Sequence, residues 1–348
     1  MTDEYPHPIV ARSMEITPHV MRNKVIFGLI AVAVVVGGAW WFAPKEVVSS
    51  TEVAKVRIAN LPVVQALPLY LAIEKGYFAQ EGIAVEVVPF EAPNQIIDAI
   101  MAGQVDFTSP SGAMGITGIA DFKNPGKLKI YGVAGGDDVV ANDAILVRVD
   151  STIATIKELK GKKLGILPGI QWRTIARHIL TQSNLVADQD VVLVELAANL
   201  QAPALAAGQI DALLAIEPMP TIVKAKNIGK EIVHVPTVRA IANPFYGGAG
   251  AVRVEFARQN PHTTEKVLAV LGKAMEEIRQ DPESARHYLK GYTPLTDDLL
   301  TQAPVLRFKM AGELSLQEIA AVQTFYDLFS TYKVIDGHMD FKNLLYAN

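Results

Sequence analysis

Leu61-Pro62-Val63-Val64-Gln65 recurs as Leu167-Pro168-Gly169-Ile170-Gln171, and Ala102-Gly103-Gln104-Val105-Asp106 recurs as Ala207-Gly208-Gln209-Ile210-Asp211; the displacements are 167 − 61 = 106 and 207 − 102 = 105. Either match alone is within chance, but two at nearly one offset mark an internal duplication. The flanking residues say what is duplicated. Residues 56–58 read as a short strand; Pro68 suits a first helical turn, Leu69, Ala72 and Ile73 form its apolar stripe, and Gly76 ends it. Residues 83–88 are a second strand, and Asn94 caps a helix striped by Ile96, Ile97, Ile100 and Met101 that stops at Gly103 before a strand over 105–107. The pattern then restarts, with strands over 144–149, 163–167, 191–195 and 210–215, a capping box at Thr155 and Glu158, and a helix carrying Trp172, Ile175, Ala176 and Ile179. Alternation of this kind builds parallel sheets covered by helices. The expectation is an α/β protein of two similar lobes that turns mostly helical after Ala249, where Val267, Leu268, Leu271 and Met275 share a face.

Composition narrows the function classes. A chain of 348 residues can bury two domain cores. Its 32 Lys+Arg against 36 Asp+Glu leave a net charge of -4, with no basic run interleaved with aromatics, so nucleic acid is not an expected partner. The absence of cysteine excludes disulfides, thiolate zinc sites, a Cys nucleophile and an acylated lipoprotein Cys. The seven histidines are scattered, and no phosphate-binding glycine motif follows the first strand. No catalytic residue, metal or cofactor is therefore expected. Gly247, Gly248 and Gly250 precede Ala251-Val252 and are expected to make a bend between the lobes.

Residues 25–43 (VIFGLIAVAVVVGGAWWFA) are uncharged and apolar, 19 positions that as a helix span about 28 Å, the thickness of a bilayer's hydrocarbon. Arg22 and Lys24 precede the run, and Trp40 and Trp41 stand where an aromatic belt lies. Its length, and Trp-Trp-Phe where small residues precede a cleavage site, favour a single-pass anchor over a removed signal peptide. The expected organisation is a cytoplasmic leader (1–24), a transmembrane anchor or signal segment (25–43), a tether (44–54), lobe 1 (55–147 and 241–348) and lobe 2 (148–240), with the soluble part outside the inner membrane.

In open parallel sheets, ligands sit beyond the carboxyl ends of the strands, where helix N-termini present free N–H groups. Two such lobes set mouth to mouth bring four loops to one cleft: 60–67, 108–112, 168–173 and 217–219. Their polar residues include Asn60, Gln65, Ser109, Ser111, Gln171, Arg173 and Glu217, with Trp172 available for stacking. Each has a plainer alternative. Gln65 and Gln171 can satisfy helix-start amides, the serines beside Pro110 can be caps, Trp172 can fill the core with Ile175 and Ile179, and Arg173 can form a surface ion pair. Glu217 ends the apolar run 213–216, where a carboxylate needs a partner or a cleft. Gln171→Ala and Glu217→Ala are expected to weaken ligand binding and to leave the thermal midpoint of the empty protein nearly unchanged.

Residues 67–78 (LPLYLAIEKGYF) followed by Glu81-Gly82-Ile83, the 102–106 segment, 159–165 (LKGKKLG), 208–211 and Glu217-Pro218 together resemble the substrate-binding proteins of nitrate-, sulfonate- and taurine-type ABC importers. The resemblance runs over roughly residues 55–290. It implies a bilobal periplasmic-binding-protein fold (type II) with two parallel-sheet lobes and a two-strand hinge near 147–152 and 240–249. It also implies capture of a small organic or oxyanion solute between the lobes by a monomer, with permease and ATPase subunits as partners. By matched position it carries a ligand-holding role to Gln65, Ser109, Ser111, Gln171 and Glu217. A ligand-sensing subunit shares these features. An enzyme like the pyrimidine-precursor synthases of this fold would need a cysteine-rich segment, which the sequence lacks.

Overall fold

The computed structural model describes residues 53–347. The apolar run 25–43, the leader before it and most of the tether lie outside the described residues, and among those described no helix is long and apolar enough to cross a membrane. Twelve strands occur in this part: β1 (Ala54–Asn60), β2 (Ile83–Pro89), β3 (Phe107–Thr108), β4 (Gly112–Ala113), β5 (Leu128–Gly136), β6 (Asp143–Arg148), β7 (Lys162–Ile166), β8 (Val191–Glu195), β9 (Ala212–Ile216), β10 (Gly229–His234), β11 (Phe245–Arg253) and β12 (Arg307–Met310). They form two sheets. The first has the order β12-β5-β11-β3-β1-β2 with β4 paired to β11; the second is β10-β6-β9-β7-β8.

The duplication appears bond for bond. β1 lies parallel between β2 and β3, and β7 lies parallel between β8 and β9. Asp106 donates its N–H to the Arg57 carbonyl (2.9 Å) while its Oδ2 accepts the Arg57 N–H (3.1 Å). Asp211 does the same with Lys163, at 3.0 and 2.8 Å. In the turns that lead to them, Gln104 bonds the Ala99 carbonyl and Gln209 the Ala204 carbonyl, both at 2.9 Å. Gly103 and Gly208 make the same left-handed turn, at φ +72° and +66°. An added Cβ there meets only the tip of Arg253 or Arg148, so conformation dominates the cost. Gly103→Ala and Gly208→Ala are each expected to destabilise by about 1 kcal/mol, measured by denaturant unfolding.

Three expectations need correction. The sheets are mixed, not parallel. β5 carries the chain out of the first sheet and β11 carries it back; neighbours that lead out and back run in opposite directions, and β5–β11 and β6–β10 pair antiparallel for that reason. The first crossing also falls elsewhere, while the second overlaps the expected 240–249. The chain changes sheets between Gly136 and Asp143 and again between His234 and Phe245, so β6 is hydrogen-bonded into the second sheet and not the first. Periodicity identified that strand correctly but held no signal of the sheet it joins. Finally, Gly247, Gly248 and Gly250 form no bend; they lie within β11. A Cβ on Gly248 would stand 2.4 Å from the Pro110 oxygen, and one on Gly250 would stand 2.4 Å from Tyr131 Cζ, so the small residues serve close approach.

One apolar cluster joins the sheets. It includes Ile130 and Val133 of β5, Ile145 and Val147 of β6, and Leu164 and Ile166 of β7. The helix Leu316–Thr331 adds Phe325 and Phe329 to the same cluster. The polar loops of both sheets meet along this shared core.

Candidate functional site

The two glutamines of the duplicated Leu-Pro segments converge on adjacent residues of β11. Gln171, near the start of the helix Ile170–Gln182, belongs to the second unit, yet both its partners lie in the first. Its Nε2 donates to the Gly247 carbonyl (3.1 Å), and its Oε1 accepts the N–H of Gly115 (2.6 Å) in the helix Met114–Lys123. Gln65, in the turn Val64–Ala66, packs against Gly248, where a Cβ would come within 3.3 Å of its Cδ. Both glutamines are buried. Gly115 must be small: a Cβ there would lie 2.3 Å from Phe329 Cζ and 3.1 Å from Gln171 Oε1.

The other candidates divide. Asn60, Ser109 and Ser111 are buried and share one network. Asn60 Nδ2 donates to the Tyr70 hydroxyl (2.9 Å), Ser109 Oγ donates to Asn60 Oδ1 (3.2 Å), the two serine oxygens stand 2.6 Å apart, and Ser111 Oγ accepts the Leu61 N–H (3.0 Å). The network fixes the loop after β1 against the loop after β3, placing Pro110 beside Gly248. Glu217 follows β9 and is buried. Its main chain ties the units together, for its oxygen accepts the Val64 N–H (3.4 Å) and its N–H donates to the Asn142 carbonyl (2.8 Å). Its Oε2 accepts the Thr221 N–H at 3.3 Å. Burial pushes this carboxyl up from its ordinary value to about 7, and the Thr221 bonds offset only part of that.

Two candidates take the plainer alternative. Trp172 is buried in the apolar cluster with Ile175 and Ile179. Arg173 is paired with Asp188 and with Glu195 (3.1 Å), and lines a separate cavity of about 270 Å³ beside Arg177 and Tyr332. Exposed pairs of this kind contribute little. Arg173→Ala is expected to change the unfolding free energy by no more than about 1 kcal/mol, and to leave untouched any midpoint shift produced by a solute in the seam.

Sequence reasoning missed three polar groups. Asn94 Oδ1, Asn142 Oδ1 and Thr174 Oγ1 are buried without a hydrogen-bond partner. Asn94, read as a helix cap, instead stands across the seam from Gly169, whose absent Cβ would lie 3.6 Å from Asn94 Cβ. Gly169 has φ +106° and ψ 163°, a region open to glycine alone. Thr174 follows Gln171 by one helical turn, and that spacing is the signal in the sequence that marks it. Asn142 sits in the crossing before β6, where no motif marks it. Tyr70 was also missed, since it stands beside the stripe of Leu69, Ala72 and Ile73 and no pattern marks its hydroxyl.

Two mixed α/β sheets, joined by two crossings and closing polar loops over a common seam, make a periplasmic-binding-like fold. The chain belongs to the NMT1/THI5 like family, whose model matches residues 64–285. It is 27% identical over 286 residues to a putative aliphatic sulfonates-binding protein of Bacillus subtilis, covering 80% of this chain and 82% of that protein. A 4-amino-5-hydroxymethyl-2-methylpyrimidine phosphate synthase of Saccharomyces cerevisiae is 23% identical over 243 residues, 67% of this chain and 69% of its own. Among solved structures, the alkanesulfonate-binding protein SsuA from Xanthomonas axonopodis pv. citri superposes with TM-score 0.69 at 19% identity, over 84% of this chain and 98% of that one. The periplasmic nitrate-binding protein NrtA of Synechocystis superposes with TM-score 0.67 at 15% identity, over 84% of each chain. The expected resemblance to sulfonate- and nitrate-type binding proteins is borne out.

Proposed function

We propose that this chain is the extracytoplasmic solute-binding component of an ABC importer, capturing a small solute in the seam between its sheets and delivering it to a permease. The observation that carries the proposal is the meeting of Gln65 and Gln171, duplicated in sequence, on Gly247 and Gly248 from opposite units. Residues from both units then contact one guest, so the guest favours the closed arrangement in proportion to those contacts. The two crossings, 137–142 and 235–244, are the segments about which such a protein opens. Residues 25–43 hold it to the inner membrane as a single-pass anchor, with the folded part outside and acting as a monomer.

Binding is favoured over synthase chemistry by the residues at the seam. The sequence has no cysteine, and His178, the part-buried histidine among the described residues, is already engaged by the Tyr332 hydroxyl (3.1 Å) and the Ala240 carbonyl (3.0 Å). A thermal-shift screen of the protein against sulfonates, nitrate, bicarbonate, pyrimidines and small amines tests the proposal. A solute that binds only the folded state raises the midpoint, by about 2.7 kcal/mol of stabilisation at a hundredfold excess over Kd. A flat response to every class would remove the solute-binding role.

A further inference from the structure

Resting on the solute-binding reading, we infer that the seam selects solutes with a hydrogen-bond-donating nitrogen, an amine or amidine, held by the Glu217 carboxylate, and that it discriminates against free sulfonates. Acceptors outnumber donors at the seam. Asn94 and Asn142 present buried amide oxygens that lack donors. Glu217 adds a carboxylate whose side chain accepts from Thr221, leaving lone pairs unused. Arg173, the one cation of the four duplicated loops, is spent on Asp188 and Glu195. A solute that brings N–H donors satisfies these acceptors, whereas a sulfonate brings three more acceptors and a like charge.

The charges around Glu217 do not alter the sign. Lys224, on the helix Met219–Ala225 that follows Glu217, is paired with Glu231 of β10 at 3.0 Å, and His234 bonds the same Glu231 at 2.7 Å. Asp143 of β6 is buried and bonded to Thr237. The helix Asp297–Leu300, which packs against the helix Met219–Ala225, contributes the acids Asp297 and Asp298. Lys230 of β10 is bonded to the Ser151 carbonyl (2.7 Å) and Arg148 of β6 to Asp150 (2.8 Å), so neither is spent on the carboxylate. Burial raises the carboxyl to about 7, so a bound cation recruits the ionised form and its affinity climbs with pH.

The test is calorimetric titration of the full-length protein with benzamidine, which stays cationic throughout, and with benzenesulfonate, at pH 5.5 and pH 8. Benzamidine is expected to bind at least ten times more tightly than benzenesulfonate at pH 8, and to lose about thirtyfold in affinity at pH 5.5. Glu217→Gln is expected to abolish both the preference and the pH dependence. Equal or tighter binding of benzenesulfonate at pH 8 overturns the inference and leaves the solute-binding role standing. Benzamidine binding indifferent to pH overturns it too, a result that needs no variant and so holds even if Glu217→Gln fails to fold. Binding of neither probe also overturns it, whereas the solute-binding role falls only with a flat response across the wider screen.

Discussion

Glu217→Gln leaves the stability of the empty protein unchanged at pH 4 and raises it by on the order of 3 kcal/mol at pH 8. In the unfolded chain this carboxyl ionises near its ordinary 4.5; in the fold, burial holds the proton on up to about 7. Between those two values the folded state binds the proton more tightly than the unfolded state, so stability falls steadily as pH rises through that window and is flat above it. At about 1.4 kcal/mol per pH unit, the interval from 4.5 to about 7 gives the stated figure. Glutamine is a neutral isostere and removes the penalty. Asp143, raised to about 6 by burial, contributes a slope of the same sign that the variant retains, so the difference between the two proteins isolates Glu217. Denaturant unfolding from pH 4 to pH 8 measures it, and parallel curves for the two proteins would contradict the account.

Gln171→Ala destabilises the closed seam by about 2–6 kcal/mol. Two cross-unit hydrogen bonds are lost, and the Gly115 N–H and Gly247 carbonyl are left buried without partners, at about 1–3 kcal/mol each. The seam can relieve that cost by opening and hydrating both groups. The expected result is amide exchange at Gly115 at least tenfold faster than in the parent, with a lower thermal midpoint. This replaces the sequence-based expectation of an unchanged midpoint, which treated Gln171 as a solvent-facing ligand residue. Unchanged exchange at Gly115 would mean that the bridge contributes nothing to closure.

Much of this fold was legible because duplication repeats physics as well as letters. Asp106 and Asp211 tie their turns to Arg57 and Lys163 through the same pair of bonds, so the repeated Ala-Gly-Gln segments located equivalent turns. Gln65 and Gln171 were found for the same reason. What stayed hidden depends on contacts between distant segments. The sheet joined by β6 depends on its partners β9 and β10. The role of Gly247 and Gly248 depends on Pro110 and the two glutamines reaching them. Arg173 was misplaced because its helix start matches that of Gln171, although the side chain two positions on turns toward Asp188 and Glu195.

The central claim is that a solute is enclosed by both units at once. Hydrogen–deuterium exchange, with and without a solute that raises the thermal midpoint, tests it most directly. The account predicts slowed exchange together in segments 61–66, 109–116, 168–172 and 217–221. Protection confined to one sheet's loops, or to the cavity lined by Asp137, Arg307 and Glu318, would contradict it.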